Sequence, residues 1–425
     1  MKAVILAAGE GTRLKPLTVT KSKHMIPIAG KPILERLFIA LKDAGITETI
    51  VVVNHHQELI QNRFNDGERY GLRIQYIKQE KLLGTANAIS LVEEYIDGDG
   101  FLVAYGDLHI DPSVISSAVE KYTEKNLDVL SIVYVEHPQR YGVVAVENDK
   151  VKDIVEKPRQ KSVGKHPINA GVYVFLNKIF QEIKKTPKSK RGEYEITDTI
   201  QRLLNRDVEI ASNVISSASW TDIGYPWDLL EANRKVLSRA KPAIKGEVEE
   251  EAHVKGTLIL EENARIRSGA YIEGPVYIGV GSSVGPNCYV RPFTSIGNYA
   301  NVGNACEVKN SLIFDGTHVS HLSYVGDSII GENCNLGAGT LTGNLRFDKR
   351  SVKVKVKNVL IDSGRKKLGA IIGDNVEVGI GVKIMPGIKV GPHSWIGPNV
   401  VLYRDIAAKT YVLQTQGLEF MKTKN

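Results

Sequence analysis

The residues of this chain best suited to chemistry are a glycine-rich turn near its start and two well-separated aspartates. Gly9 and Gly11 follow an apolar stretch, so their backbone N–H groups can approach a phosphate closely, and Arg13 adds a rigid fork of donors for its oxygens. Asp107 closes another apolar stretch, and Asp222 lies far downstream. Mg²⁺ takes one or two carboxylates together with phosphate oxygens, so this set predicts a nucleotide site.

The same residues have plainer explanations, which the sequence leaves open. A dinucleotide-binding fingerprint needs a third glycine where Leu14 stands, and a Walker loop needs a Gly-Lys-Ser or Gly-Lys-Thr end, so both motifs are excluded. A glycine-rich turn after a strand is otherwise as often a simple tight turn. Asp107 suits helix capping as well as metal binding, although Asp111 before Pro112 already offers an N-cap.

A histidine far downstream suits a different reaction. His321 lies in the run from Val319 to Asp327, next to Ser323 and Tyr324. An imidazole can accept the proton of an amine as the amine attacks a thioester, which is general base catalysis. A structural histidine on the flank of a β-structure is the alternative.

Strands and helices must alternate to position the first set of residues. The predicted strands are residues 2–6, 49–54, 73–78 and 101–105; one predicted helix begins at Pro32, and two others cover 58–64 and 86–95. This order predicts a doubly wound α/β sheet, mainly parallel. Ligands of such sheets bind at the carboxyl ends of the strands, where Gly9, Gln79 and Asp107 lie.

The rest of the chain follows a period of six residues, which fits neither a helix nor an ordinary strand. The aliphatic positions are Val248, Val254, Leu260, Ile266, Ile272, Ile278, Val284, Val290, Ile296, Val302 and Val308, then Ile313, Val319 and Val325, then Ile372, Val378, Ile384, Val390, Ile396 and Leu402. A chain that turns a corner every six residues places each of these side chains inward. The pattern resembles the hexapeptide-repeat left-handed parallel β-helix, and a chance register in a glycine-rich β-protein is the alternative.

Length and composition are those of a soluble two-domain protein. With 425 residues the chain is too long for one core, and we expect a domain of residues 1–240 and a second of 241–425, joined by a linker from Pro242 to Glu251. No apolar run approaches twenty residues and no signal peptide is recognised at the start, so we expect a cytoplasmic protein without a membrane anchor. The net charge is +7, with lysines that look scattered, which favours small anionic substrates over nucleic acid. Cys288, Cys306 and Cys334 lack metal-site spacing, and we interpret them as structural thiols.

Eight short motifs in the first 240 residues resemble, in order and spacing, those of the sugar-1-phosphate nucleotidylyltransferase family. They are Leu6 to Leu14, Lys21 to Lys23, Gly84 to Ala86, Gly106-Asp107, Glu156 to Pro158, Asn169 to Gly171, Gly192 to Asp198 and Trp220 to Asp222.

The resemblance implies a role for each matched residue. Arg13 and Lys23 would neutralise the phosphates in catalysis, and Asp107 and Asp222 would hold Mg²⁺. The nucleotide would be bound by Leu6, Ala7, Ala8, Gly9, Gly11, Thr12, Gln79, Gly84 and Thr85, and the sugar phosphate by Gly142, Glu156, Lys157, Asn169 and Gly171. A solvated surface lysine is the alternative for Lys23 and Lys157.

A second set of motifs resembles the acetyltransferase half of the bifunctional bacterial enzymes that make UDP-N-acetylglucosamine. It comprises Arg291-Pro292, Glu307 to Asn310, His321 to Tyr324, Asn333 to Thr340 and Gly343-Asn344. By this resemblance His321 is the base, acetyl-CoA lies near Ala338, and the amino sugar phosphate is held by Arg291, Lys309, Tyr324, Asn335 and Asn344. Ser320 replaces the usual glycine and Leu345 a usual tyrosine, which puts the sugar specificity in question.

An insertion of residues 346–368 resembles that of the archaeal-type enzymes. Val352, Val354 and Val356 alternate with lysines, which predicts a β-hairpin with one basic face. Lys353 on that face either reaches the sugar phosphate or belongs to a solvated edge that resists aggregation. The resemblance also implies a homotrimer with active sites between subunits.

Three functional hypotheses follow. The first is an enzyme of two reactions that uses acetyl-CoA, sugar-1-phosphates and UTP or dTTP. The second is an enzyme of one reaction, a glucose-1-phosphate thymidylyl- or uridylyltransferase whose β-helix serves only oligomerisation. The third is a non-catalytic regulatory subunit, which the presence of Arg13, Lys23, Asp107 and Asp222 disfavours.

Overall fold

The computed structural model describes residues 1–157 and 164–415. Two compact units are present: the first comprises residues 1–11, 21–26 and 31–224, and the second comprises 12–20, 27–30 and the chain from residue 225 onward. Of the predicted motifs, Pro158 lies outside the described residues, as does the end of the chain from residue 416.

The chain before the prism contains strands and helices that we number in chain order. The strands are β1 (Ala3–Ala7), β2 (Pro27–Ile28), β3 (Lys31–Pro32), β4 (Glu48–Val53), β5 (Arg73–Lys78), β6 (Gly100–Tyr105), β7 (Leu108–Ile110), β8 (Asp128–Val135), β9 (Gly142–Glu147), β10 (Lys150–Glu156), β11 (His166–Leu176), β12 (Ile210–Ile215) and β13 (Trp220–Asp222). The α-helices are α1 (Ile33–Asp43), α2 (Gln57–Phe64), α3 (Thr85–Ser90), α4 (Pro112–Lys125), α5 (Ile179–Ile183), α6 (Ile196–Leu204) and α7 (Pro226–Ser238).

The first unit is built on a nine-stranded sheet of order β5-β4-β1-β6-β11-β8-β12-β10-β9. The strands β5, β4, β1 and β6 are parallel to one another, as predicted, whereas β11 runs antiparallel to both β6 and β8. The sheet is therefore mixed, and its parallel half carries the predicted phosphate loop. Apolar side chains fill both faces, with Phe38 of α1 buried on one face and Phe175 of β11 on the other.

The predicted elements of this unit are largely present, with one clear error. The strand predicted over residues 73–78 has the observed bounds, and α1 begins directly after Pro32. The helix predicted over 86–95 is wrong in extent, because α3 ends at Ser90 and a separate 3₁₀ turn covers Glu93–Tyr95. Asp111 occupies the N-cap position of α4 but makes no capping hydrogen bond with its side chain.

The second unit contains a left-handed parallel β-helix, a triangular prism with three parallel sheets. The first sheet is formed by β14 (Ala243–Ile244), β17 (Leu258–Leu260), β20 (Val276–Ile278), β23 (Thr294–Ile296), β26 (Leu312–Ile313), β29 (Ile329–Ile330), β34 (Ile371–Ile372) and β37 (Lys389–Val390). The second is formed by β15 (Glu247–Val248), β18 (Arg265–Ile266), β21 (Ser283–Val284), β24 (Asn301–Asn304), β27 (His318–His321), β30 (Asn335–Leu336), β35 (Glu377–Val378), β38 (Trp395–Ile396) and β40 (Tyr411–Val412). The third is formed by β16 (His253–Lys255), β19 (Tyr271–Glu273), β22 (Tyr289–Val290), β25 (Glu307–Lys309), β28 (Tyr324–Gly326), β31 (Leu341–Thr342), β36 (Lys383–Ile384) and β39 (Val401–Leu402).

The prism begins earlier than the sequence predicted. Residues 242–251, interpreted as a linker, already contain β14 and β15, which pair with the next coil. Val254 is 37% exposed, because its strand β16 is the edge of the third sheet and has a neighbour on one side only. The other inward positions from Leu260 to Val308 are buried and form one continuous core.

The break in the six-residue pattern has a simple cause. Ile296 pairs with Ile313, so this coil is one residue shorter than the 18-residue coil that pairs Ile278 with Ile296. The next coil is short as well, and it places Ile330, Leu336 and Thr342 inward. The sequence pattern missed Ile330 and Leu336 because the short coil moves them one residue away from the six-residue period that runs through Ile313, Val319 and Val325. It missed Thr342 because that side chain is polar. The Thr342 hydroxyl accepts a hydrogen bond from Gly326 N at 2.9 Å, which permits its burial.

The insertion forms the predicted hairpin from β32 (Lys353–Val356) and β33 (Val359–Asp362). Val352, Val354 and Val356 are buried, whereas the lysines between them are exposed. The chain's positive charge is not scattered, contrary to the sequence interpretation. Residues 346–368 contain nine Lys and Arg against two Asp, a net +7 that equals the formal net charge of the whole chain.

The cysteines behave as structural thiols. Cys288, Cys306 and Cys334 are buried in the prism core and carry free thiols. Burial raises the pKa of Cys288 and of Cys334 to about 12, so neither is a reactive thiolate near neutral pH. Across the described residues, no helix combines the length and the apolar character needed to cross a membrane.

Candidate active sites

The predicted phosphate loop of the first unit follows β1, in the middle of the parallel strands. Leu6 and Ala7 end the strand, and the loop then continues from Ala8 through Gly9 to Gly11. A Cβ added at Gly9 would lie 3.5 Å from both Cε and Nζ of Lys23. The backbone of this loop and the Lys23 ammonium therefore lie side by side, which is the arrangement that a phosphate group needs.

The continuation of this loop belongs to the second unit. Thr12 and Arg13 lie there, and the Arg13 guanidinium is 5.2 Å from the centroid of the Tyr225 ring. This distance is that of a cation–π contact. The predicted action of Thr12 and Arg13 on a nucleotide stays a prediction.

Lys23 and Asp107 form an ion pair, and their side chains are 15% and 12% exposed. Asp107 is followed directly by strand β7 and not by a helix, so the helix-capping alternative is excluded. The Asp107 carboxylate therefore lies just after β6, mostly buried against the Lys23 ammonium, and its binding of Mg²⁺ stays a prediction.

The second predicted metal ligand lies next to the first. Strands β7 and β13 pair antiparallel with Asp222 opposite Leu108, and Ile223 N donates to Asp107 O at 3.1 Å. Asp107, directly before β7, therefore lies beside Asp222, the last residue of the adjacent strand β13. Within the described part of the chain, no group of three or more His, Cys, Asp or Glu side chains forms a metal site. Two carboxylates fit Mg²⁺, which takes its other ligands from phosphate and water oxygens.

The sequence analysis missed a histidine, His24, that lies close to the charges of Lys23 and Asp107. His24 is fully buried, its Nδ1 lies 2.8 Å from Ser22 Oγ, and its Nε2 has no hydrogen-bond partner among the described residues. Burial, assisted by the Lys23 charge and opposed by Asp107, lowers the pKa of His24 to about 3. The ring is therefore neutral and packs against the backbone at Gly106. The only signal in the sequence was its place directly after Lys23.

The predicted base-binding residues form a connected group. The Gln79 Nε2 amide donates to Gly84 O at 3.2 Å and to Asn87 Oδ1 at 2.9 Å. Both amide hydrogens are then used, so Oε1 is the acceptor that can face a bound base. Gly84 has φ +106, and an added Cβ would lie 2.5 Å from Tyr194 O, so only glycine fits. Thr85 Oγ1 accepts from Ile196 N at 3.0 Å.

The predicted sugar-phosphate residues form two neighbouring groups. In the first, Gly142 pairs with Glu156, whose Oε1 is 2.9 Å from Lys157 Nζ and 3.2 Å from Arg191 Nη2. Arg191 in turn contacts Glu195 at 2.6 Å, and burial raises the pKa of Glu195 while the Arg191 charge opposes this. The sequence motif included Glu195 but assigned it no role.

The second group is a buried chain of hydrogen bonds. Asn169 Oδ1 accepts from Gly171 N at 2.9 Å, and its Nδ2 donates to Tyr173 OH at 2.6 Å. The Tyr173 and Tyr105 hydroxyls are 2.9 Å apart. Burial raises the pKa of both phenols, so they stay protonated donors. Gly171 has φ +74 and leaves room for the Tyr105 ring. These hydrogen bonds hold the Asn169 side chain in one orientation.

In the second unit, His321 lies at the end of β27, at the corner between the second and third prism sheets, and its side chain is exposed. Its backbone oxygen accepts from Ser323 Oγ at 2.7 Å and from Gly339 N at 3.4 Å. Ala338 therefore lies close to His321 on the next coil. The imidazole is not sealed in the prism, so the structure leaves it accessible to a substrate.

Two of the five predicted sugar-phosphate residues of this unit contact Asp327, a residue to which the sequence gave no role. Asp327 Oδ2 accepts from Lys309 Nζ at 3.1 Å and from Asn344 Nδ2 at 2.6 Å, and its Oδ1 accepts from Asn310 Nδ2 at 2.7 Å. Asn344 also donates to Tyr324 OH at 3.0 Å. The Asp327 side chain is 4% exposed. Asp327 follows Gly326, which pairs with Lys309 on the neighbouring coil, and its spacing of 18 residues from Lys309 was the available signal.

The remaining predicted residues lie around this network to different degrees. Arg291 pairs with Glu307 at 2.9 Å, and Glu307 is in register with Tyr324. Asn335 is on the second sheet, opposite His318, and is exposed. Lys353 is exposed on the hairpin, opposite Asp362. Thus His321 and Ala338 lie at the corner between the second and third sheets, whereas the Asp327 network lies at the corner that follows the third sheet.

Comparison with known proteins gives matches along most of the chain. The family described as "Nucleotidyl transferase" matches residues 2–239, "GMPPB C-terminal domain" matches 272–382, and "Bacterial transferase hexapeptide (six repeats)" matches 369–404.

Relatives of full length and solved structures agree with this division. A "Bifunctional protein GlmU" of Methanocaldococcus jannaschii is 41% identical over 425 residues, covering 100% of both chains. A "Bifunctional sugar-1-phosphate nucleotidylyltransferase/acetyltransferase" of Sulfurisphaera tokodaii is 40% identical over 96% of this chain and 98% of its own. A solved putative glucose-1-phosphate thymidylyltransferase from Bacillus anthracis is 32% identical with a TM-score of 0.51, covering 57% of this chain and 97% of its own.

Proposed function

Since this chain belongs to the nucleotidyl transferase family and, within it, to the bifunctional GlmU proteins, we propose that it catalyses two successive reactions. Acetyl-CoA acetylates glucosamine-1-phosphate, and the product then takes UMP from UTP to give UDP-N-acetylglucosamine and pyrophosphate. One observation carries the proposal: a single chain contains the Lys23–Asp107 pair beside the glycine loop and, on its prism, both an accessible His321 and the Asp327 network.

In nucleotidyl transfer, a sugar phosphate oxygen bonds to the α-phosphorus of UTP while the bond to the pyrophosphate oxygen breaks. The reaction brings two polyanions together, so it depends on neutralisation and positioning. Lys23, beside the Gly9 backbone, supplies positive charge from the chain itself. Asp107 and Asp222 would hold Mg²⁺, which adds further positive charge when bound.

The two substrates are oriented by groups on opposite sides of this loop. The Gln79 Oε1 is suited to accept the N3–H of uracil or thymine, which leaves UTP and dTTP as candidate nucleotides. The Glu156 carboxylate is suited to accept a hydrogen bond from a sugar hydroxyl. The hydrogen-bonded side chains of Asn169, Tyr173 and Tyr105 present amide and phenol donors in fixed positions.

In acetyl transfer, the amine nitrogen of glucosamine-1-phosphate bonds to the thioester carbonyl carbon, and the bond to the CoA sulfur breaks. His321 accepts the proton that the amine loses. The sugar phosphate binds to Lys309 and Asn344, which both contact Asp327. These residues lie at the corner of the prism that follows the third sheet. Acetyl-CoA would lie along the accessible corner near Ala338.

The test is a thiol-release assay with acetyl-CoA and glucosamine-1-phosphate. His321→Ala is expected to lower the rate about 10²- to 10⁴-fold, as loss of a general base does. The matched control is His318→Ala, which removes another exposed histidine from the same strand. Wild-type protein that releases no thiol but forms a nucleotide sugar would favour the single-reaction enzyme, and absence of pyrophosphate release as well would favour a regulatory subunit.

We further propose a homotrimer that acts in the cytoplasm, where its substrates are formed. Two features support the trimer. His321 and the Asp327 network lie at different corners of the prism, so a neighbouring chain can complete each site, and Leu322 and Ile380 leave apolar side chains 64% and 59% exposed near His321. Light scattering on the full chain should give three times the monomer mass, and a monomer at micromolar concentration would contradict the proposal.

A further inference from the structure

Lys23 lies on a short stretch of chain between two segments of the second unit. Residues 12–20 and 27–30 belong to that unit, whereas residues 21–26 between them belong to the first. Lys23 is three residues beyond Thr20, so their Cα atoms are at most about 11 Å apart. The contacts that hold the two flanking segments therefore restrict the position of Lys23.

The first flanking segment is attached to the prism at Thr20. The Thr20 hydroxyl donates to Asp374 Oδ2, and Oδ1 of the same carboxylate accepts from Glu332 N at 2.8 Å. Asp374 follows β34 at the corner between the first and second prism sheets, and it is 3% exposed. A buried carboxylate needs hydrogen-bond donors, and hydrogen bonds to a charged acceptor are stronger than neutral ones. The segment of residues 12–20 is thus held on the prism where it ends.

An aspartate at the same corner of an earlier coil differs from Asp374 in its second partner. Asp315 Oδ1 accepts from Asn298 N at 2.8 Å, and its Oδ2 accepts from Asn298 Nδ2 at 2.9 Å. The preceding coil therefore supplies a donor to each oxygen of Asp315. At Asp374 the equivalent residue of the preceding coil is Glu332, whose carboxylate has no hydrogen to donate. The hydroxyl of Thr20, far away in the sequence, donates in its place.

The second flanking segment is attached through a buried amide. Asn233 of α7 is fully buried, and its Oδ1 accepts from Ala29 N at 3.0 Å and from Ser295 Oγ at 2.7 Å. Its Nδ2 donates to Phe293 O at 2.8 Å. Ser295 and Phe293 both belong to the prism, so one side chain joins the segment, α7 and the prism. The chain is therefore fixed after Lys23 as well as before it.

We propose that Asp374 is a positioning residue for nucleotidyl transfer: through Thr20 it holds the segment before Lys23, so that the Lys23 ammonium stays beside the Gly9 backbone. The inference rests on the proposed function, because it assigns Asp374 a part in that reaction. Neither Asp374 nor Thr20 needs to touch a substrate. A displacement of about 1 Å at a reacting group can lower a rate about 10²-fold, so a contact outside the site can control the rate.

Asp374→Ala tests this role, with Asp315→Ala as its matched control. Both changes remove a carboxylate from the same prism corner and a hydrogen bond to the preceding coil. We expect kcat/KM for UTP in pyrophosphate release to be at least about tenfold lower in Asp374→Ala than in the control. Thiol release should be equal in the two variants, because His321 and Asp327 lie at the other two corners. Equal kcat/KM values for UTP in variants that melt alike would overturn the inference.

Substitutions at Thr20 separate the contact from the stability of the prism. Thr20→Val removes the hydroxyl and keeps the branched shape, whereas Thr20→Ser keeps the hydroxyl. We expect Thr20→Val to lower kcat/KM for UTP as much as Asp374→Ala does, and Thr20→Ser to resemble the wild type. The double variant Thr20→Val/Asp374→Ala should be no slower than either single variant. Losses that multiply in the double variant would mean that the two residues act independently, which would refute the positioning role.

Hydrogen exchange measured by mass spectrometry on the full-length chain gives a readout that does not depend on activity. The amides of residues 12–24 should exchange faster in Asp374→Ala than in Asp315→Ala. Equal exchange in the two variants would show that Asp374 does not hold the segment. If the wild type releases no pyrophosphate from UTP, the proposed function itself fails, whereas an active wild type with two equal variants contradicts the inference alone.

Discussion

Lys309 Nζ donates to Asp327 Oδ2 at 3.1 Å, and the Asp327 side chain is 4% exposed. The two residues lie one coil apart, and the same carboxylate also accepts from Asn310 and Asn344. Asp327 therefore fixes the positions of Lys309 and Asn344, which are proposed to hold the amino sugar phosphate. It is a positioning residue and need not touch the substrate.

Asp327→Asn should weaken acetyl transfer while leaving nucleotidyl transfer intact. Asparagine tolerates the positive φ of +50 at this position, but it removes the charge that holds Lys309. We expect KM for glucosamine-1-phosphate to rise about tenfold or more, because charge-assisted hydrogen bonds are roughly twice as strong as neutral ones. Steady-state thiol release measures this, and a fall in kcat at constant KM would contradict the positioning role.

Asp107→Ala should abolish nucleotidyl transfer and spare acetylation. The change removes the partner of Lys23 and one of two adjacent carboxylates in the first unit, whereas His321 lies in the second. Asp43→Ala, at the exposed end of α1, is the control and should leave both rates unchanged. Pyrophosphate release and thiol release are measured on the same samples. Loss of both activities in a folded Asp107→Ala protein would show that the sites are not independent.

Gln79→Glu should impair use of UTP far more than it affects acetyl transfer. A carboxylate cannot donate to Gly84 O and Asn87 Oδ1, which Gln79 Nε2 does at 3.2 and 2.9 Å, so it would turn away from the base. We expect kcat/KM for UTP to fall about 10²-fold, equivalent to about 2.7 kcal/mol. Steady-state pyrophosphate release with UTP and dTTP measures the effect. An unchanged kcat/KM with both nucleotides would remove Gln79 from the base site.

Asp128→Asn should stabilise the protein at neutral pH. Burial raises the pKa of Asp128, although Leu176 N donates to its Oδ1 at 2.7 Å and Lys178 lies 3.6 Å from Oδ2. A raised pKa means that the folded state holds this proton more tightly than the unfolded state. The loss of folding free energy caused by the buried Asp128 charge is therefore absent below pH about 3.8, and it grows as the pH rises through the pKa that Asp128 has in the folded state.

Calorimetry at pH 3.5 and pH 7 checks this prediction. We expect a gain of about 1 kcal/mol at pH 7 and no gain at acid pH, since asparagine can still accept from Leu176 N. Destabilisation of Asp128→Asn at pH 7 would mean that the Lys178 contact outweighs desolvation.

Val308→Ala should cost about 2 to 3 kcal/mol of folding free energy, because Val308 is fully buried between Val290 and Val325 in the prism. Val254→Ala is the matched control: the same deletion at a side chain that is 37% exposed should change stability by less than about 0.5 kcal/mol. Denaturant unfolding of both variants measures the difference. Equal losses would show that burial in the stacked core does not set the stability of the prism.

The chemistry-bearing residues could be recognised from the sequence because their types and local spacing are properties of the chain alone. The glycines after β1, the aspartate at the end of β6 and the six-residue period each require only neighbours in sequence. The tandem aliphatic positions predicted the prism because each inward side chain repeats the same local turn.

The tertiary structure alone decided which of these residues meet. Pairing of β7 with β13 brings Asp222 beside Asp107, and stacked coils bring Lys309 to Asp327. The coils from Ile296 to Ile313 and from Ile313 to Ile330 are each one residue short, and the second shift hid Ile330 and Leu336 from the periodicity. Contacts of this kind join residues far apart in the chain, so they depend on strand register and coil length, and no local pattern of residue types encodes those distances.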